Sequence, residues 1–349
     1  MAREAVLLVG GEGTRLRPLT LTTPKPMLPV AGTPITVHQI TRARDAGVQR
    51  IVLGTAYRAE VFAEHLGDGS TLGVEIVYAH EDSPLGTGGA IRNAAAHLVG
   101  APDDPVLILN GDVLSGVDLT ALVDGHVASD AAVTLHLTRV EDPRRYGLVP
   151  TDAAGRVREF LEKPETPEQI VTDQINAGCY VFRREVIDTI APDRVVSVER
   201  EVFPALVDSG ALVRGVVDDA YWLDLGTPWD FVQGSTDLVR GVAPWAGHAP
   251  TDSLILDGAV VDVDAVLDRG STVGPGAQVA AGALVSGSVL FTDAIIEPGA
   301  RVIDSIIGGG ARVGAGASVH GAVLGDGVVV APGVEIGEGE RIDPGAVIG

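Results

Sequence analysis

The chain has 349 residues, 25 Lys+Arg against 47 Asp+Glu, a formal net charge of −22, 46% hydrophobic residues and a single cysteine. At roughly 100–200 residues per domain that length suggests two domains, and so large an excess of carboxylates repels nucleic acid and anionic membranes alike, which excludes both as expected partners. Cys179 alone makes no internal disulfide, the apolar run Val6–Val9 is too short for a signal-peptide core, and no stretch approaches ~20 apolar residues, so a soluble cytoplasmic protein is expected.

Ala5–Gly10 reads as a first strand ending in glycines, and Ile51–Gly54, Val74–Tyr78, Val106–Leu109 and Val133–Val140 repeat the type. Between the first two, a helix is expected with Thr33 as N-cap, Pro34 at the first helical position and Gly47 as its stop. Continuous apolar strands alternating with helices predict, over residues 1–240, an α/β domain with a Rossmann-like, mostly parallel sheet covered on both faces. In such sheets ligands bind at the carboxyl ends of the strands. Residues 241–251, with Pro244 and Pro250, read as a linker.

Over residues 252–349 the composition turns to Gly, Val, Ala and Ile. Counted in sixes from Ile255, with steps of five from Val285 to Leu290, Val302 to Ile307 and Val319 to Leu324, all seventeen positions through Ile348 are aliphatic. From Gly276 onward a glycine often stands three residues before them. A hexapeptide period predicts a left-handed parallel β-helix of five to six coils, since each hexad supplies one short strand and a turn. A sandwich of short strands would repeat every 8–12 residues instead.

The first strand runs into Gly10-Gly11-Glu12-Gly13-Thr14-Arg15-Leu16-Arg17-Pro18-Leu19-Thr20, followed by Pro24-Lys25-Pro26. A glycine-rich turn lets backbone N–H groups approach phosphate oxygens, and Arg15 with Lys25 supplies neutralising charge, which suits a triphosphate. The pattern is not a P-loop and lacks the third glycine of the dinucleotide fingerprint. A tight turn with solvated basic residues is the alternative. Only two lysines exist, Lys25 and Lys163, which singles out positions where a compact ammonium stands in place of a guanidinium.

Together with Leu85-Gly86-Thr87-Gly88-Gly89-Ala90, Asn110-Gly111-Asp112, Glu162-Lys163-Pro164, Asn176-Ala177-Gly178 and Trp222-Leu223-Asp224-Leu225-Gly226-Thr227-Pro228, this run resembles the signature of the sugar-1-phosphate nucleotidyltransferases. The resemblance covers the whole chain and is closest to bacterial members that use GTP and mannose 1-phosphate. It implies in-line attack of a sugar-phosphate oxygen on the α-phosphorus of a nucleoside triphosphate, pyrophosphate leaving, without a covalent enzyme intermediate. It further implies catalytic roles for Arg15, Lys25 and Asp112. Leu8, Gly10, Gly11, Gly13, Thr14, Glu81, Gly86, Thr87 and Gly111 fall at its nucleotide-binding positions, and Gly147, Glu162, Lys163, Asn176 and Gly178 at its sugar-phosphate positions. Asp112 and Asp224 match its Mg²⁺ ligands, and a homo-oligomer through the β-helix is expected.

Some alternatives stay open at this level. Asp112 could be a turn residue, Asp224 could cap the helix entered through Thr227 and Pro228, and Asn176 could be a strand-end hydrogen-bonder. Glu81 lies five residues before Gly86, where pyrimidine-specific relatives carry a base-reading amide. A carboxylate there accepts from both adjacent donors of the guanine edge and repels the carbonyls of uracil or thymine, which favours GTP provided Glu81 does not face solvent. Asp82 is expected to be exposed, and Cys179 to be a packing residue. Val198–Pro204 resembles a family helix segment near the sugar pocket or the interface and carries no assigned role. The competing functions are glucose 1-phosphate with UTP, dTTP or ATP, and a non-catalytic subunit that binds a nucleotide sugar.

Overall fold

The computed structural model describes residues 2–244 and 247–349; Met1, and Trp245 and Ala246 of the expected linker, lie outside the described residues. Two compact units emerge, one of Met1–Gly11 with Gln39–Trp222 and one of Glu12–His38 with Leu223–Gly349. Among the described residues no helix is long and apolar enough to cross a membrane.

In the first unit β1 (Glu4–Leu8), β2 (Arg50–Thr55), β3 (Glu75–His80), β4 (Pro105–Asn110), β5 (Val133–Arg139), β6 (Gln174–Arg183) and β7 (Val213–Val217) share one sheet, in the order β3-β2-β1-β4-β6-β5-β7. Helices α1 (Ile35–Asp45), α2 (Ala59–Leu66), α3 (Gly86–Ala95) and α4 (Leu119–Ser129) connect the first five strands in turn. β1 pairs in parallel with both β2 and β4, so that Leu8 lies opposite Gly54 on one side and Asn110 on the other. The strand order reverses there, and the carboxyl ends of β1 and β4 form the crevice where such sheets take ligands. Beyond β4 the sheet turns antiparallel at β6, and β7 runs parallel to β5. The sheet is mostly parallel, as expected, with β6 as the antiparallel strand between β4 and β5. Val6, Val52, Ile108, Leu135, Tyr180 and Phe182 bury one face against Ile91, Ala94 and Phe203, and each such aliphatic or aromatic side chain contributes about 1.5–3 kcal/mol by leaving water.

The second unit corrects one local expectation. Thr33 and Pro34 are not the cap and first residue of α1; they form a two-residue strand paired with Pro29-Val30. Ala31 and Gly32 both take positive φ, 46° and 77°, the two-residue turn whose twist suits a hairpin. That turn fixes the following residues as extended chain, and the helix begins only at Ile35.

Helix α5 (Pro228–Val239) opens on a capping box between Thr227 and Asp230. From Ser253 to Ile348 the unit is a three-sided parallel coil with sheets of six, six and five strands, the architecture expected of a left-handed β-helix of hexads. The aliphatic column from Val273 to Ile336 fills its interior.

The five-residue steps all fall at one corner of this coil. Ser271, Ser288 and Ser305 stack there at a spacing of one turn, buried, each hydroxyl accepting the next coil's N–H at 3.1–3.2 Å. Each also donates to a carbonyl of its own corner, Asp268, Ser286 or Ile303. A hydroxyl thus fills the hydrogen-bonding place that the shortened corner leaves in the ladder.

Candidate functional site

At the crevice of the first unit the carbonyl of Leu8 accepts the Gly111 N–H at 2.9 Å. A Cβ on Gly111 would stand 2.7 Å from that same oxygen, so the turn leaving β4 approaches β1 only as glycine. Asp112 follows in this turn, half-buried. Gly11 is exposed with open space on its side-chain face, whereas a methyl on Gly10 would meet Ala56 and lie 3.6 Å from Glu81 Oε1.

Glu81 stands just past the end of β3 and is only 8% exposed; it does not face solvent. Its Oε2 accepts the Leu85 N–H at 3.0 Å. Burial pushes its pKa above the ordinary carboxylate value, opposed by the Leu85 N–H and by His80. Asp82 is exposed, as expected.

Gly86 and Thr87 form the first turn of α3, and the glycines of this turn have a packing cause. A Cβ on Gly86 would stand 2.7 Å from the Val196 carbonyl oxygen, and one on Gly89 2.5 Å from that of Arg194. The Val196 carbonyl accepts the Gly88 and Gly89 N–H groups. The Thr87 hydroxyl donates to Glu199 at 2.7 Å and accepts the Val198 N–H at 3.0 Å. Its side chain is thereby tied to the 198–202 turn.

Gly147 pairs with Glu162 across two short strands, and a Cβ on Gly147 would stand 2.7 Å from Glu162 Oε2. Lys163 adopts a left-handed φ of 52°, uncommon for a residue with a side chain. Its Nζ lies 3.6 Å from Glu162 Oε1 while most of the side chain stays exposed. Burial, reinforced by the neighbouring Glu199, raises the Glu162 pKa, with Lys163 and Arg200 acting the other way.

Both amide ends of Asn176 are engaged, Nδ2 donating to the Tyr180 hydroxyl at 2.8 Å and Oδ1 accepting the Gly178 N–H at 3.1 Å. These bonds brace the bulge where β6 slips register against β5. Gly178, at φ 73°, lets Asn110 pack where a Cβ would come within 2.6 Å of its amide nitrogen.

A cavity of about 310 Å³ is lined by Phe160, Glu162, Lys163, Glu199, Arg200 and Pro204. The sequence did not assign Glu199 or Arg200. Both lie on a π-helical turn, Val198–Val202, and in one dimension their alternating charges are those of any solvated helix face.

In the second unit, residues 13–27 form three successive 3-10 turns. Buried Leu16 and Leu19 anchor the stretch, while Thr14 and Arg15 are exposed. Gly13, at φ 61°, brings the loop to the stem of Lys25, whose Cβ would lie 2.6 Å from any Cβ added there. The Lys25 side chain is 7% exposed, with Nζ 3.7 Å from Asp224 Oδ1. Arg15, 62% exposed, reaches Asp224 Oδ2 at 3.9 Å. Its guanidinium lies over Gly226, 2.8–3.0 Å from where a Cβ would be. Asp224 is not the cap of α5, because Thr227 performs that task. Cys179 is buried on β6, and burial pushes its thiol pKa up to about 12, so it packs rather than reacts.

Residues 4–241 match the family model described as nucleotidyl transferase. The chain belongs to this family. As a nucleotidyl transferase it also carries a match to a GMPPB C-terminal domain over residues 250–340. It is 55% identical over 271 residues to the mannose-1-phosphate guanylyltransferase of Mycobacterium tuberculosis (strain ATCC 25618 / H37Rv), covering 76% of this chain and 74% of that one. It is 39% identical over 231 residues to a mannose-1-phosphate guanylyltransferase catalytic subunit beta of Drosophila melanogaster, covering 66% of this chain and 61% of the fly protein. Among solved structures it resembles HddC from Yersinia pseudotuberculosis complexed with GMP-PN, with a TM-score of 0.57 and 28% identity over 68% of this chain and all of that one. A putative glucose-1-phosphate thymidylyltransferase from Bacillus anthracis shares the fold, at a TM-score of 0.62 and 21% identity over 70% of this chain and 97% of that one.

Proposed function

We propose that this nucleotidyl transferase is a mannose-1-phosphate guanylyltransferase, converting GTP and mannose 1-phosphate to GDP-mannose and pyrophosphate. The observation that carries the reading is the 55% identity to the mycobacterial enzyme of that name, supported by the grouping of Arg15 and Lys25 around Asp224. In chain order, residues 1–240 are the proposed catalytic region, 241–251 the linker and 252–349 the β-helix. The proposed compartment is the cytoplasm, and the proposed assembly a homo-oligomer through the β-helix.

An oxygen of the sugar phosphate attacks the α-phosphorus, the bond from that phosphorus to the bridging oxygen breaks, and pyrophosphate leaves. Because several negative charges converge, cations dominate such catalysis. Arg15 and Lys25, grouped around Asp224, take phosphate oxygens. Leu8, Gly10, Gly11, Gly86, Thr87 and Gly111, and likewise Gly13 and Thr14, are the proposed nucleotide-binding residues. Glu81, aimed by the Leu85 N–H, reads the guanine edge. Gly147 and Glu162, with Asn176 and Gly178 as the braced bulge, hold sugar hydroxyls, and Lys163 takes the sugar phosphate.

Asp112 and Asp224 are the proposed Mg²⁺ ligands. Mg²⁺ typically uses one or two carboxylates together with substrate phosphates, and each of these side chains offers carboxylate oxygens of that kind. Bound Mg²⁺ would neutralise phosphate charge.

The test is pyrophosphate release by the purified protein from GTP, mannose 1-phosphate and Mg²⁺. Turnover in the wild type that falls by about 100-fold or more in Asp112→Asn, with an unchanged thermal melt, is the expected result. A wild type that binds GDP-mannose yet releases no pyrophosphate would overturn it in favour of a nucleotide-sugar-binding subunit.

A further inference from the structure

The β-helix reaches the loop that carries Arg15. From the strand Arg341–Ile342 in the last coil, Arg341 Nη1 donates to the carbonyl of Arg15 at 2.7 Å and to that of Arg17 at 3.3 Å. One coil earlier in the same unit, Asp326 Oδ2 accepts the Thr22 hydroxyl at 2.7 Å. Its other oxygen accepts the Gly309 N–H at 2.8 Å, so the carboxylate is fixed by the preceding coil.

Carbonyls at the end of a helical turn have no N–H ahead of them within that turn. Residues 14–16 form such a turn, closed by the Arg17 N–H on the Thr14 carbonyl. Arg341 supplies donors where the turn has run out. Arg15 itself is mostly exposed and among the described residues its ion pair is the long 3.9 Å contact to Asp224, so the direction of its guanidinium depends on how its backbone is held.

We propose that Arg341 and Asp326 are positioning residues for nucleotidyl transfer: the final coils clamp the 15–22 loop and thereby aim Arg15 at the triphosphate. The proposal rests on the guanylyltransferase reading above. It gives the coils a part in turnover beyond assembly. Misplacement of a substrate-positioning group by about 1 Å costs on the order of 100-fold in rate, so losing the clamp should lower kcat more than it raises the KM for mannose 1-phosphate.

The experiment compares wild type, Arg341→Ala, Arg341→Lys, Asp326→Asn and Arg301→Ala in steady-state pyrophosphate release and in hydrogen exchange of the free protein over residues 14–22. Arg301 lies exposed on another strand of the coil and serves as a control. Expected are a roughly 10- to 100-fold loss of kcat in Arg341→Ala, partial recovery in Arg341→Lys, faster exchange confined to the loop in Arg341→Ala and Asp326→Asn, and no change in Arg301→Ala. Unaltered loop exchange and unaltered kcat in Arg341→Ala would overturn the clamp. So would a loss of kcat that only follows a lowered melting temperature. Because exchange is read without substrate, failure of the clamp is distinguishable from failure of the activity itself, which would silence the wild type while leaving the exchange pattern intact.

Discussion

Arg15 and Gly226 show how little space decides a charge's position. A Cβ on Gly226 would press on the Arg15 guanidinium at under 3.1 Å, and because that group is the flexible end of a side chain, the fold absorbs the change while the cation moves. Gly226→Ala is therefore expected to leave the thermal melt within about 2 °C of the wild type and to lower kcat about 10-fold or more, measured by pyrophosphate release. The raised pKa of Glu162, caused first by burial and then by Glu199, sets a pH dependence. The ionised form is the hydroxyl acceptor and is lost as pH falls through a pKa above that of ordinary glutamate. The KM for the sugar phosphate should then rise on acidification at a pH where exposed carboxylates are still charged, and Glu162→Gln should flatten that limb. A KM profile unchanged by the substitution would contradict the role. The order of residues along the chain exposed Arg15, Lys25 and Asp224 as candidates. It left Glu199 and Arg200 without a role, because they reach the Glu162 cavity only through a π-helical turn.

At the scale of elements, the hexad register was legible because every inward position must be aliphatic and outward ones need not be. The five-residue steps were visible too, but their cause was not. Only in three dimensions do Ser271, Ser288 and Ser305 line up at one corner and pass N–H groups from coil to coil. Ser288→Ala removes the acceptor of the buried Ser305 N–H, and an unsatisfied buried donor costs about 1–3 kcal/mol. Chemical denaturation should register that loss, while Ser318→Ala, on an outward strand, should change little. The hairpin at Pro29–Pro34 was misjudged for an equally local reason. Thr-Pro is a strong helix-start signal, and the left-handed pair Ala31-Gly32 overrode it, although Ala31 gives no hint of a positive φ.

For the whole molecule, the excess of acid weighs against nucleic acid and anionic membranes as partners. The β-helix carries outward valines near its start, with Val260 and Val263 at 64% and 94% exposure, which supports the proposed homo-oligomer. Sedimentation should give a mass above 35.9 kDa that Val263→Asp lowers; a monomer at all concentrations would remove that proposal. The central claim, guanylyl transfer to mannose 1-phosphate with Glu81 as the base reader, is tested most directly by pyrophosphate release with Mg²⁺. The assay crosses GTP, ATP, UTP and dTTP with mannose 1-phosphate and glucose 1-phosphate, in wild type and Glu81→Gln. A strong preference for GTP with mannose 1-phosphate, relaxed toward the pyrimidine nucleotides in Glu81→Gln, is the predicted result; a wild type that prefers UTP or dTTP, or a Glu81→Gln variant with undiminished GTP selectivity, would contradict it.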